Sequence, residues 1–386
     1  MLHSWSYSSP SHQPVDLGPL TSFVPDLAFG VTLFFTLSGF LLYRPFARAI
    51  LRKQPRPSIV SYLRNRALRI LPAYWVILLV SSLALGTVLV RRGTALPPGF
   101  LPGEGLLRAA TFTQNYTPST LGNGIGPAWS LAVEAVFYLV LPILALAAFA
   151  VRNRGRLRKW PHAAALLPAA VLLVVGLSGK AAAARLIPGP HEEWGNTWHS
   201  VVELSFWCQA DLFAFGMALA VLYVAVDEGT ITLPRGHRLL AWAAIVSGYI
   251  FVRELAPPEA QLSYSPSNTL MALVCTLLLG LVVLQTAERR PKTLLLRALE
   301  TRPAIWTGLV SYSVFLWHEP IVRWLAGHDL VLAGRVGFGV NTLFLIALTL
   351  AFSAVTYRFV EEPALRLKAR RRPSEPIPPA QLSAAP

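Results

Sequence analysis

Residues 127–151 read PAWSLAVEAVFYLVLPILALAAFAV, an apolar run whose single charge is Glu134. At 1.5 Å per residue, a helix of this length reaches about 37 Å, enough to cross a hydrocarbon core about 30 Å thick. Eight further stretches have the same character: 27–44, 70–90, 160–179, 202–226, 239–252, 268–286, 304–326 and 339–360. The shortest is 239–252. The whole chain agrees, with 54% hydrophobic and 14% charged residues among 386 and a mean hydropathy of +0.50. A soluble domain carries roughly 25% charged residues, so this chain has too little polar surface to cover a water-soluble globule of its size. The expected fold is all-α, a polytopic transmembrane helical bundle with nine spans, whose first partner is the lipid bilayer.

The net charge is +15. Of the 34 Lys and Arg residues, 26 fall in alternate connections, at 44–69, 152–162, 227–238, 287–303 and 358–386. Such an excess marks the cytoplasmic side. It makes 1–26 an extracytoplasmic segment, 27–365 the transmembrane domain, and 366–386 a disordered basic, proline-rich cytoplasmic tail. Because the charges cluster between apolar runs and not on an aromatic-rich soluble domain, nucleic acid is excluded as a partner. Cys208 and Cys275 both lie inside apolar runs, so neither a disulfide framework nor a thiolate metal site is expected. Connections of at most about 35 residues leave no room for an appended soluble catalytic domain.

An ionisable group inside a span costs roughly 2.5 to 3.5 kcal/mol on insertion scales and so asks for a partner or a function. Glu134 lies about 10 Å below the outer boundary, with Ser130 and Tyr138 at i−4 and i+4 on one helical stripe. Such a carboxylate is either satisfied by an interhelical Arg or Tyr, or it positions a substrate or a base. His318 shares a face with Ser311, and Glu319 with Arg323 has the spacing of an internal ion pair. Asp211 and Glu203 fall on one face of span 202–226. Thr32, Thr36, Gly39 and Tyr43 form a small or polar stripe beside Ser38, as close helix packing requires. Arg64, Arg66 and Arg69 precede Pro72, placed as a first-turn proline. That arrangement suits a polyanionic phosphate ligand, or equally the positive-inside rule with anionic lipid.

Taken in order, these islands resemble the acyltransferase-3 family of integral-membrane O-acyltransferases. The resemblance runs through Phe29-Gly30-Val31, Phe34-Phe35 and Ser38-Gly39-Phe40, then Arg66, Arg69 and Pro72, then Trp129-Ser130-Leu131, Glu134 and Phe137-Tyr138. It continues through Ser311-Tyr312-Ser313, Leu316, His318 and Pro320 to Tyr357, Glu361 and Pro363. What it implies is transfer of an acyl group from cytoplasmic acyl-CoA, a co-substrate and not a bound cofactor, to a hydroxyl of a glycan or of a sugar-bearing or macrocyclic small molecule. It also implies a catalytic histidine at the outer end of a first helix. Here His3 stands where the last turn of that helix would be, so a full-length form is expected to have ten spans.

Acyl transfer needs a base for the attacking hydroxyl, and a neutral His suits that work. It also needs donors for the developing oxyanion. The expected assignment makes His3 the general base, with Glu134 or His318 as its orienter or as acceptor contacts. Arg66 and Arg69 hold CoA, while Ser38, Trp129, Ser130, Tyr138, Ser311 and Tyr312 serve as substrate or oxyanion contacts. The alternative is a proton-coupled transporter or flippase using Glu134, Asp211 and His318 as a relay; no paired half-sequence symmetry supports it.

Overall fold

The computed structural model describes residues 16–23, 25–90, 100–101, 103–152, 154, 159–186, 197–255, 266–287 and 293–369. The described chain is helical, and its one β pairing is an isolated antiparallel bridge between Leu89 and Gly124. The helices are α1 (Gly30–Leu51), α2 (Ile59–Leu79), α3 (Gly103–Ala110), α4 (Trp129–Arg152), α5 (Pro161–Ala183), α6 (Trp198–Glu203) and α7 (Phe206–Asp227). They continue as α8 (His237–Leu255), α9 (Pro266–Ala287), α10 (Leu294–Leu299), α11 (Arg302–Gly327), α12 (Gly334–Thr356) and α13 (Glu362–Ala369). Two π-turns occur: Val80–Ala84 ends the helix begun by α2, and Tyr357–Glu361 interrupts the otherwise continuous helix of α12 and α13.

Among the described residues, seven helical segments are long and apolar enough to cross a membrane: Gly30–Leu51, Ile59–Ala84, Gly126–Arg152, Pro161–Ala183, Trp198–Asp227, Ser267–Ala287 and Gly334–Leu367. The expected count of nine is not met by composition. Spans 239–252 and 304–326 do form helices of 19 and 26 residues, α8 and α11. Their His, Arg and Glu side chains keep them out of the apolar set.

The centre is α7 packed between α1 and α5. Its neighbours can come so close because glycines face backbone across both contacts. A Cβ added to Gly216 would lie 1.8 Å from the Thr36 carbonyl oxygen, and one added to Gly39 would lie 2.3 Å from that of Phe213. Thr36 Oγ1 bonds the carbonyls of Thr32 and Leu212 at 2.9 and 3.3 Å, so the small-residue stripe of α1 is the packing seam its spacing predicts. On the other side, Gly176 sits against Asp211. Aromatic rings fill the seam towards α4: Phe213 stacks on Phe137 at 4.1 Å and lies 4.8 Å from Phe35.

Charged contacts tie the helix ends. Arg52 reaches Glu228 at 2.7 Å, Arg48 reaches Asp227 at 3.4 Å, and Arg152 donates to the carbonyls of Ala49 and Gln54. These gather the C-terminal ends of α1, α4 and α7 into one basic end. At the opposite end, Asp26 accepts from Tyr249 and from Arg253, the latter at 2.7 Å, and Asp16 pairs with Arg335 at 2.7 Å. Residues 16–29 are thereby bound to the C-terminal end of α8 and the N-terminal end of α12. The Gly18 amide and Arg335 hold the Asp16 carboxyl below the usual carboxylate range.

Three sequence expectations are corrected here. Helix α2 begins at Ile59, where Ser58 caps it, so Pro72 lies deep inside it and Arg64, Arg66 and Arg69 ride on the helix body. The start was misplaced because the first half of α2 is amphipathic and not apolar. Span 202–226 is broken at Leu204–Ser205, so Glu203 belongs to α6 and not to the face of Asp211. Glu203 is buried and paired with His199 at 3.1 Å. Finally, α5 runs past Gly179, which brings Lys180 inside the protein.

Candidate active site

Glu134 lies in the second turn of α4, 3% exposed, and accepts a 2.5 Å hydrogen bond from Ser38 Oγ of α1. The Tyr138 hydroxyl, one turn on, reaches the same carboxylate, and the Arg66 guanidinium of α2 lies near enough to act on both electrostatically. Tyr62, one turn before Arg66, belongs to the same group. Three spans thus converge on one buried carboxylate. Of the expected stripe mates, Tyr138 joins it. Ser130 does not: its Oγ bonds the Pro127 carbonyl at 3.0 Å within its own helix. Trp129 packs edge-on against Phe35, 6.2 Å between ring centres, on the outer side of this group.

Tyr62, Asn65, Arg66 and Arg69 stand at i, i+3, i+4 and i+7, one face of α2. The Tyr62 hydroxyl, Asn65 Oδ1 and Arg66 Nε on that face, with the neighbouring Arg64 Nε, are buried polar atoms with no protein partner. Each such atom costs about 1 to 3 kcal/mol unless water or a ligand meets it. This face of α2 therefore runs towards Glu134 as a polar, cationic wall with both donor and acceptor atoms unmet by protein.

Arg69 is engaged differently. Its Nη1 lies 2.9 Å from Glu361 Oε2, and the other Glu361 oxygen accepts from Ser313 Oγ at 2.5 Å. Its guanidinium also sits 5.7 Å from the centre of the Tyr312 ring, whose hydroxyl donates to the Ile70 carbonyl at 2.9 Å. The π-turn Tyr357–Glu361 presents Glu361 to this contact. On α11 the serine of the motif that meets this contact is Ser313, fully buried, while Ser311 is exposed and bonds the Gly308 carbonyl. His318 is half-buried, with Nδ1 2.7 Å from the Phe315 carbonyl of its own helix. Glu319 pairs with Arg323 at 2.8 Å as its spacing predicts. His3 lies outside the described residues.

Asp211 belongs to a separate buried cluster. Lys180 Nζ lies 2.5 Å from its Oδ1 and 2.9 Å from the Cys208 carbonyl, and Thr269 Oγ1 donates to its Oδ2 at 2.5 Å. An aspartate clamped by an ammonium group is poorly placed as a link in a relay. Among the described residues, no group of three His, Cys, Asp or Glu side chains is arranged to hold a metal.

A helical membrane bundle whose interior joins a carboxylate, hydroxyls and guanidinium groups is the frame of an integral-membrane group-transfer enzyme. The chain belongs to the acyltransferase-3 family: the family's acyltransferase domain matches residues 1–358. It is 24% identical to acyltransferase MdmB of Streptomyces mycarofaciens over 92% of this chain and 85% of that protein. It is 26% identical to nodulation protein 10 of Rhizobium leguminosarum bv. viciae over 95% of this chain and 89% of that protein. It is also 24% identical to the peptidoglycan O-acetyltransferase OatA of Listeria monocytogenes, over 86% of this chain and 50% of that protein. No solved structure matches it. The chain is thus an O-acyltransferase, and the expected class of enzyme stands.

Proposed function

We propose that the protein moves an acetyl or other short acyl group from acyl-CoA, met at the basic end, to a hydroxyl of a glycan or of a sugar-bearing or macrocyclic small molecule met at the opposite end. The observation that carries this is the buried Glu134 carboxylate, held by Ser38 and faced by Arg66 across the interior of the bundle. Arg66, with Arg69, receives the CoA phosphates as charge-assisted contacts. The acceptor oxygen attacks the thioester carbonyl, the C–S bond breaks, and the hydroxyl proton passes through His3 to the departing thiolate of CoA. Glu134 orients that imidazole or the acceptor hydroxyl, and the hydroxyls of Tyr138 and Ser38, which rest on Glu134, turn to the carbonyl oxygen as charge develops there. A glycan acceptor is supported by the Listeria relative, a peptidoglycan O-acetyltransferase.

The basic end is cytoplasmic in this scheme, and α8 and α11 cross the membrane with the seven apolar segments. Membranes supplied with acyl-labelled CoA should transfer label to acceptor in the wild type and not in Glu134→Gln. Failure of wild-type membranes to take label from any acyl-CoA would overturn the donor assignment. Reporter fusions at 152–162 inside and 96–126 outside test the orientation, and the reverse result at either loop would overturn it.

A further inference from the structure

We infer that the wedge between α7, α8 and α9 is a binding site for one anionic phospholipid, its tail in the groove and its phosphate on Arg238. Helix α8 packs chiefly on α9 and has no comparable contact with α7. The gap this leaves is a groove of about 270 Å³, walled by Leu219, Leu222, Ala241, Leu277, Gly280 and Leu281. Its lining is mostly apolar, which suits a lipid tail. Arg238 lines the groove and also an adjoining hollow with Trp242, Thr293 and Leu294.

The bilayer is as apolar as the groove, so a tail gains little by entering it and the lining alone selects no lipid. Among the described residues the permanent charge lining it is Arg238, and selection must come from there. Other arginines of the basic end are engaged: Arg48 and Arg52 with Asp227 and Glu228, and Arg152 with backbone carbonyls. The Arg238 guanidinium has no hydrogen bond or ion pair with any described residue. Leu239, Leu240 and Leu294, exposed by 75%, 67% and 82%, surround it with apolar surface, which sets it at the depth where tails meet headgroups. A guanidinium there matches a phosphate that has no cationic neighbour of its own, the property that separates phosphatidylglycerol from phosphatidylcholine. This inference is independent of the acyl-transfer scheme, because none of these residues belongs to the Glu134 group.

The test is native mass spectrometry of the purified full chain with phosphatidylglycerol and phosphatidylcholine of identical tails. The wild type should retain one phosphatidylglycerol, preferred about tenfold over phosphatidylcholine, and Arg238→Gln should bring the two lipids to parity. Gly280→Leu should displace both lipids: its Cβ starts 3.5 Å from Leu219 Cδ1, in ordinary contact, and the rest of the side chain fills the groove. Leu277→Trp fills the same space from another part of α9 and must give the same loss. Equal retention of the two lipids by the wild type, a preference surviving in Arg238→Gln, or full retention in both groove-filling variants would each overturn the inference.

Discussion

Replacing Arg69 by Met should cost the protein stability and acyl-CoA affinity together, and the two losses can be separated through Glu361. The charges of the pair lie about 4 Å apart, worth about 4 kcal/mol at an effective dielectric constant near 20, with desolvation of several kcal/mol per ion opposing it. The intact pair is therefore close to neutral in free energy. Removing the guanidinium alone strands a carboxylate that is 1% exposed with only the Ser313 hydroxyl to satisfy it. That should cost about 3 to 5 kcal/mol. Adding Glu361→Gln to Arg69→Met removes the stranded charge and should restore most of the loss, so the double variant melts well above the Arg69 single variant. Affinity follows the other pattern. Glu361→Gln leaves Arg69 free for phosphate and should hold or lower the acyl-CoA KM, whereas both variants lacking Arg69 should raise it about tenfold, a lost charge-assisted contact being worth roughly 1.5 to 3 kcal/mol. Thermal unfolding in detergent and steady-state kinetics with varied acyl-CoA read the two effects. An Arg69→Met protein as stable as the wild type would refute the ion-pair reasoning, and a wild-type KM in the double variant would remove Arg69 from the CoA site.

Glu134→Gln, nearly isosteric, should accumulate in the membrane at wild-type level and lose turnover; wild-type activity would make the carboxylate structural. Gly216→Ala puts a methyl 1.8 Å from the Thr36 carbonyl and must part α1 from α7, so it should destabilise by about 1 to 3 kcal/mol or more, seen as a lower unfolding temperature. Lys180→Met should destabilise by about 3 to 5 kcal/mol by leaving Asp211 buried with Thr269 as its remaining polar partner, and adding Asp211→Asn should recover much of that; a neutral single variant would show that water reaches the pair.

What the sequence made legible was set by contrast. One carboxylate in a 25-residue apolar run stands out, and Glu134 proved to be where three helices meet. Ser38 was recognisable beside a small-residue stripe because interhelical hydroxyls and close packing share the same residue types. Glu361 and Lys180 were missed as structural partners because each lies one residue beyond the end of its apolar run, where hydropathy stops but the helix does not. The break before Phe206 is marked in the sequence by Glu203 and Ser205 alone, too few polar residues to end a 25-residue apolar run. Ser311 was preferred to Ser313 by counting turns back from His318, and a count along one helix cannot say which face its neighbours will cover. The amphipathic half of α2 looked like a charged loop for a related reason: its apolar face is narrow, and its polar face turns inward.

The π-turn at Tyr357–Glu361 makes this part of the chain sensitive to length in a way that loops are not. Each residue of an α-helix turns the chain by about 100°, and a π-turn takes up one residue more than the α-helical turn it replaces, so α13 keeps nearly the face that an uninterrupted helix one residue shorter would give it. Deleting a single residue between Tyr357 and Glu361 would let α12 run straight into α13 with the glutamate still turned towards Arg69 and Ser313. Inserting one there would turn everything beyond by about 100° and swing Glu361 towards lipid, although no residue of the triad had been altered. Single-residue insertions here should therefore mimic loss of the glutamate itself, while insertions of the same size between α7 and α8 should leave the triad in place.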